Sequence, residues 1–329
     1  MPHGIVRISS PSRLHFGLLA FGQPSGRQYG GVGLMLDRPR VELSVSAASH
    51  FSARGFAIER VKRLTRRWAD ARQQGVMPGC QIRVEELPPW HVGLGSGTQL
   101  ALSVARGLDE FHGRPAVEPS ELALIMGRGK RSAIGTFGFA SGGLVSDPGK
   151  VAGEPIAPFA QQISAPAAWR YVLIQLRESD GLSGETETTA FQEMDMVPLA
   201  VTGQLEEELH DRLVPSFKAG DYLNFSESVY RYGKLAGGCF AQFQAGAFAS
   251  PRIGELVEYV RELGVPGVGQ SSWGPTIFAV TQGTREADRL VARLADYYGD
   301  VIEGIRVSAA DTRGAVIRRE VGAEQRATT

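Results

Sequence analysis

Residues 88–111 read PPWHVGLGSGTQLALSVARGLDEF: two prolines, glycines at 93, 95 and 97, and an apolar stripe that follows without a spacer. Leu100, Ala101, Val104, Ala105, Leu108 and Phe111 recur at the spacing of one helical face, which predicts a helix from about Thr98 to Phe111. A helix start leaves N–H groups unpartnered and carries about half an elementary positive charge. Glycines ahead of it remove side chains that would hold an anion away from those donors. Gly93, Gly95, Ser96, Gly97 and Thr98 are therefore the candidate phosphate-binding residues, with two hydroxyls as extra donors. A tight strand-to-helix turn capped by Thr98 is the plainer reading of the same letters. Neither familiar nucleotide signature fits. The loop lacks the Lys of G-x-x-x-x-G-K-[ST], the full spacing of G-x-G-x-x-G, and an acidic ribose partner about twenty residues on.

Outward from this loop, CQIRVEEL (80–87) reads as a strand running into the prolines. FAIERVKRLTRRWADARQQG (56–75) has helical spacing, with Ile58, Val61, Leu64 and Trp68 on one face. Gly4–Ser9 and Val41–Val45 alternate apolar and polar residues, the period of half-buried strands, and the glycine-rich GQPSGRQYGGVGLMLDRP (22–39) connects them. The Gly-, Pro- and Ala-rich stretch 141–169 is the candidate boundary, dividing a first domain, 1–160, from a second, 168–320. In the second, RYVLIQL (170–176) is a buried strand. Helices are expected near 205–213, 222–235, 253–263 and 285–298, and strands near 276–280 and 301–307, an alternating α+β pattern.

Lys+Arg and Asp+Glu both number 35, so any pull on an anion must come from local clustering, and nucleic acid is not an expected partner. Hydrophobic residues at 43% and charged residues at 21% match a soluble globular protein. Cys80 and Cys239 stand alone, without metal-ligand spacing, as suits a reducing cytoplasm. Arg7, Arg13 and His15 interrupt the apolar N-terminus, and no uncharged run approaches the roughly 20 residues that span a bilayer. A cytoplasmic protein with no membrane partner is expected.

The proline-led loop resembles the signature of the galactokinase–homoserine kinase–mevalonate kinase–phosphomevalonate kinase (GHMP kinase) superfamily. Its kinases read closer to P-x-x-x-G-L-G-S-S-A; here Gly97 and Thr98 replace the Ser-Ala pair. The superfamily's late glycine motif has a counterpart in GVPGVGQSSWGPTIFAV (264–280). Four stretches taken together, PSRLHFGLLAFGQPSGRQYGGVGLML, GRGKRSAIGTFGFASGGLVSD, GLSGETETTAF and GVGQSSWGPT, resemble the β-ribofuranosylaminobenzene 5′-phosphate synthases, the non-kinase branch. The likeness runs from about Ile5 to Arg318. It implies an α+β, two-lobed GHMP-kinase-like fold: a ribosomal protein S5 domain 2-like N-terminal lobe, a ferredoxin-like C-terminal lobe and the ligand between them. It also implies a homodimer.

The reaction implied by the resemblance joins 4-aminobenzoate, or in some members 4-hydroxybenzoate, to phosphoribosyl pyrophosphate. Carbon dioxide and pyrophosphate leave, on the route to tetrahydromethanopterin. Magnesium is expected with the pyrophosphate; neither ATP nor NAD is. Arg13 and His15 of SRLHFG share a face if the segment is extended; an isolated pair reads first as a surface Arg and a satisfied core His, but with the surrounding resemblance they are, with Arg27, the catalytic candidates. Arg128, Lys130 and Arg131 cluster among glycines as phosphate ligands or as a solvated surface. The kinases often carry a catalytic Asp in this neighbourhood, and KRSAIGT has none, which weakens but does not abolish the alternative of a small-molecule kinase using ATP; a non-catalytic ligand-binding homologue is the third reading. Gln270, Ser271, Ser272 and Trp273 are the aromatic-substrate candidates. Glu185, with Glu187, could hold metal or merely favour a helix start. Ala20 stands where the family pattern leads one to expect an acidic residue, and Asp37 is a nearby substitute for it or an Asp-capped turn.

Overall fold

The computed structural model describes residues 4–159, 161–177, 195–244, 246–272 and 274–320. Two long antiparallel strands, β1 (Ile5–Gly17) and β2 (Gly31–Ala47), form the spine of the first sheet. Both outrun the alternating patches seen in the sequence, because pairing continues through the glycine-rich stretch: Ser12 faces Leu36, His15 faces Gly33 and Gly17 faces Val32. Alternation fails there because Leu34, Met35 and Leu36 are all buried, with the strand covered on both faces. Only glycine fits at position 33, where a Cβ would lie 2.3 Å from the Leu14 carbonyl.

β3 (Ser52–Gly55) runs parallel to β4 (Cys80–Glu86), which pairs with the second half of β2; β5 (Leu144–Asp147) pairs with its first half and carries β6 (Gln161–Ile163). The stretch 141–169 thus supplies two strands to the first sheet as well as a connection. Helices α1 (Ile58–Ala71), α2 (Ser96–Phe111), α3 (Pro119–Ile125) and α4 (Ile134–Ser141) belong to this lobe. Val61, Leu64 and Trp68 of α1 join Leu100, Val104 and Leu108 of α2 over Ile8, Leu43 and Val45 of the sheet. Ile58, expected on the same face, remains exposed.

The second sheet contains β7 (Arg170–Leu176), β8 (Val268–Gln270), β9 (Ile277–Thr281) and β10 (Ile302–Ser308), in the order β10-β7-β9-β8. Fourth, first, third, second is the antiparallel ferredoxin-like order. On β7, Val172 and Ile174 face α8 (Pro251–Glu262) and α9 (Thr284–Tyr298), while Tyr171 and Leu173 face the opposite side. That side holds α5 (Leu199–Glu207), a π-helical turn (Glu208–Leu213), α6 (Val214–Ala219) and α7 (Tyr222–Gly238).

The lobes share a core. Leu14, Phe16, Val32 and Leu34 of the first sheet pack with Tyr171, Leu173, Phe278 and Val280 of the second, together with Phe225, Val229 and Tyr232 of α7. Phe16 stacks on Phe278 with centroids 5.2 Å apart. Each such side chain contributes about 1.5–3 kcal/mol by burial, so the lobes are fused rather than tethered. The last strand, β11 (Val316–Glu320), returns to pair with β1, so the stretch 168–320 contributes to both sheets. No helix among the described residues is long and apolar enough to cross a membrane.

Candidate active site

The α2 helix begins at Ser96, one turn of chain after the prolines, and its cap is Gly95 in the left-handed region at φ 74°. Thr98 is not the cap: its N–H and that of Gln99 both donate to the Gly95 carbonyl, at 3.0 and 3.1 Å. The Ser96 hydroxyl donates to the Pro89 carbonyl at 2.9 Å and folds the loop back on itself. The alternating glycines have separate reasons. A Cβ at Gly93 would lie 2.1 Å from the Ser271 carbonyl, and one at Gly95 would lie 2.7 Å from Arg13 Cγ. At Gly97 it would press on two guanidiniums, Arg60 and Arg128, at 3.0 and 3.2 Å.

Those guanidiniums define the electrostatics. Arg128 Nη2 donates to the Gly97 carbonyl at 2.9 Å. Burial first, then the neighbouring charges of Arg60 and Arg67, bring its pKa from 12.5 down to about 10. Arg60 is lowered too, by burial and then by Arg63, and it lies 4.5 Å over the Trp90 ring. Arg13, Arg60, Arg128, Lys130 and Arg131 all line one cleft of about 680 Å³, and no Asp or Glu is among its described lining residues. Mutual repulsion in a half-buried site is relieved by an anion. No group of three His, Cys, Asp or Glu side chains among the described residues could hold a metal ion. The described lining therefore does not fit a metal held by protein carboxylates.

Opposite the cations the wall is apolar and closely packed. Phe16, Gly17 and Leu18 meet Gly233, Ala236 and Gly237 of α7, with Phe240 and Ala247 beyond. A Cβ at Gly17 would lie 2.3 Å from Ala236 Cβ, so small residues let strand and helix touch. His15 lies on β1 between Arg13, one of the cations, and Phe16, part of the apolar wall. It is buried, with Nε2 3.1 Å from Ser132 Oγ, and Ser132 lies 3.3 Å from the buried Asp147 carboxylate. Burial, with Arg13 adding repulsion, holds the imidazole well below its ordinary 6.5, so it is neutral at physiological pH.

The cleft thus gathers Arg13, His15, Gly93, Gly95, Ser96, Gly97, Thr98, Arg128, Lys130, Arg131, Gln270 and Ser272. Ser271 is placed differently. It is fully buried, accepting from His15 N–H at 3.1 Å and donating to the Gly93 carbonyl at 2.8 Å, a structural clamp and not an aromatic contact. Arg27 lies off the cleft lining, donating to the Gly149 carbonyl at 2.8 Å and pairing with Glu154 at 3.1 Å, which pins loop 18–30 to the turn after β5. Asp37 does not substitute for an acid at position 20: its carboxylate accepts from Ala309 N–H at 2.8 Å, far along the sheet. Ala20 is buried in a bridge with Tyr29. Trp273, Glu185 and Glu187 lie outside the described residues. Arg60, Trp90 and the α7 wall are the members missed in the sequence. Arg60 was hidden in a run of basic residues on a polar helix face, and the wall consists of Gly and Ala, which carry no chemical signature.

A glycine loop at a helix start, set between an S5-like and a ferredoxin-like lobe, defines a protein of the GHMP kinase superfamily. Residues 56–143 match the GHMP kinases N terminal domain and residues 213–300 the GHMP kinases C terminal family. The fold superposes on homoserine kinase from Cytophaga hutchinsonii with a TM-score of 0.64, covering 95% of this chain and 97% of that one at 14% identity. Phosphomevalonate kinase from Streptococcus pneumoniae gives 0.68, covering 94% and 100% at 12% identity. Such identities speak for fold alone. The chain is also 30% identical over 295 residues to the beta-ribofuranosylphenol 5′-phosphate synthase of Methanothermobacter thermautotrophicus, covering 83% of this chain and 88% of the relative. It is 30% identical over 308 residues to the protein of that name from Archaeoglobus fulgidus, covering 90% and 93%. The chain belongs to the β-ribofuranosylphenol 5′-phosphate synthase family, and it is an enzyme, a synthase of that kind.

Proposed function

We propose that the enzyme joins C1 of phosphoribosyl pyrophosphate to the ring of a 4-substituted benzoate, releasing carbon dioxide and pyrophosphate, in tetrahydromethanopterin synthesis. The relatives are named for a ribofuranosylphenol, which favours 4-hydroxybenzoate as acceptor; 4-aminobenzoate is the alternative. The observation that carries this reading is the division of one cleft into a cationic end and an apolar wall, with a neutral His15 between them.

In this reading Arg13, Arg60 and Arg128, with the first N–H groups of α2, hold the diphosphate. A preorganised donor aimed at the departing charge is worth about 2.7–4 kcal/mol. With no carboxylate among the described lining residues, magnesium would be held by the diphosphate of the donor itself and would offset part of its charge. The acceptor ring lies against Phe16, Leu18 and Phe240, with Gln270 and Ser272 as polar contacts at its edge. His15 takes the proton of the 4-hydroxyl, which makes the ring carbon bearing the carboxylate electron-rich enough to attack C1.

Carboxyl-labelled 4-hydroxybenzoate and 4-aminobenzoate, each incubated with phosphoribosyl pyrophosphate and Mg²⁺ without ATP, test the proposal. Release of labelled carbon dioxide with one pyrophosphate per turnover is expected. Folded protein that releases no gas from either acid, or that forms ADP from ATP and a small alcohol instead, would overturn it in favour of a kinase.

A further inference from the structure

Ser132 lines the cleft and the buried Asp147 stands behind it, and nothing in the proposed reaction yet uses them. Ser132 closes the cationic loop just before α4, and Asp147 ends β5. The Asp147 carboxylate takes three donors: Ala133 N–H at 2.9 Å and the Ser132 hydroxyl at 3.3 Å on Oδ2, and Gly149 N–H at 3.0 Å on Oδ1. Burial, the largest influence, raises its pKa on balance, and these donors act against that rise by favouring the charged form, in which each oxygen already accepts a backbone N–H. An ionised carboxylate only accepts, so it claims the single proton of the Ser132 hydroxyl. Ser132 Oγ is left with lone pairs. It accepts from Ile134 N–H at 3.3 Å and faces His15 Nε2 at 3.1 Å. The proton of the neutral imidazole must then sit on Nε2, which leaves the lone pair on Nδ1. Among the described residues Nδ1 has no hydrogen-bond partner, and His15 lines the cleft.

We infer that Ser132 and Asp147 are positioning residues that hold His15 in its Nε2–H form, so that Nδ1 is the atom that takes the acceptor's 4-hydroxyl proton. The inference rests on the function proposed above. The step balances: the O–H bond breaks as Nδ1–H forms, and the oxygen pair moves into the ring while the ring carbon bonds to C1. The C1–O pair departs with pyrophosphate. The ring–carboxylate bond then breaks, its electrons restore aromaticity as carbon dioxide leaves, and the oxygen recovers its proton from Nδ1. No proton is consumed. His15 is the catalytic residue, and the other two act through it. In a Ser-His-Asp triad the wrong tautomer lowers kcat about 10⁴-fold. Here a hydroxyl intervenes and backbone contacts on both sides of His15 remain, so a loss of roughly 10–100-fold is expected.

The test uses ¹⁵N-histidine-labelled full-length protein, in which long-range ¹H–¹⁵N spectra separate protonated from lone-pair ring nitrogens; His15→Gln assigns the signal. Wild type should show the proton on Nε2, and 4-hydroxybenzoate should shift Nδ1. Ser132→Ala should lose the single tautomer and about 10–100-fold in kcat, with the donor KM within about twofold; Ser132→Thr, which keeps the hydroxyl, should restore both. A double variant with Asp147→Asn should lose no more than the worse single variant. A wild-type proton on Nδ1, or Ser132→Ala with wild-type kcat and an unchanged spectrum, would overturn the inference. The tautomer readout needs no turnover, so it separates failure of this arrangement from failure of the proposed reaction, which the gas-release assay reports on wild type.

Discussion

Replacing Arg128 with Met should make the ligand-free protein no less stable while crippling donor binding. A drop in pKa from 12.5 to about 10 corresponds to roughly 3 kcal/mol held against the charged form of this guanidinium. Its hydrogen bond to the Gly97 carbonyl returns about 1.5–3 kcal/mol. Methionine keeps most of the apolar stem and removes both quantities, so the net change runs from near zero to about 1.5 kcal/mol stabilising. At about 2–4 °C per kcal/mol for a chain of this order, Tm without ligand should rise by up to several degrees. The bound state reverses the sign. A buried charge pair broken on one side costs about 2–5 kcal/mol, so the donor's Kd should weaken at least about 30-fold. Thermal melts with and without phosphoribosyl pyrophosphate, at matched salt and Mg²⁺, measure both effects. A Tm that falls by more than about 4 °C while the donor-induced shift persists would show Arg128 to be a structural strut, and the electrostatic account of the cleft would fail.

Phe240→Ala should raise the acceptor KM about tenfold, as expected for about 1.4 kcal/mol of lost ring contact, and leave the donor KM near wild type in steady-state assays. Gly95→Ala forces a side chain into the left-handed region and onto Arg13 Cγ at 2.7 Å; it should cost about 1–2 kcal/mol in urea unfolding and weaken donor use. The His15 imidazole has a pKa below 6.5 in the folded state, so below that pH the unfolded chain binds more protons. Its contribution to stability is therefore present above 6.5 and lost as pH falls towards the folded value, and His15→Gln should flatten that part of the urea-stability profile against pH.

The helical face of 100–111 and the strand 80–86 are legible in the sequence because each keeps one period and buries one side. Arg13 and His15 are legible for the same reason: alternate residues of an extended strand share a face, and β1 delivers both to the cleft. The long middle of β1 and β2 is not legible, since a strand covered on both sides loses alternation and its glycines imitate a loop. The return of β11 to β1 is a pairing across 307 positions, between Ser9 and Val316 at its shorter end, that no local pattern carries. Ser271 shows the limit within the site. Its neighbours line the cleft, and the residue itself turns inward, a direction fixed by Gly93 and His15 from the other lobe.

That inward turn bears on how the two lobes can move. Ser271 joins β1 to the glycine loop, Ser272 N–H donates to the His15 carbonyl at 2.9 Å, and Phe16 stacks on Phe278 just beneath. Two lobes tied at the floor of the cleft by hydrogen bonds and a common core cannot open there without exposing that core. Rigid-body separation of the lobes is therefore a poor route for substrate entry. A rigid floor would also serve the proposed reaction, in which positioning a nucleophilic carbon within reach of C1 can supply about 7–11 kcal/mol only if the two subsites do not drift apart. The zero net charge fits the same picture: with no overall charge to draw anions, the proposed anion binding would rest on the guanidiniums around Gly97, which the fold holds close together.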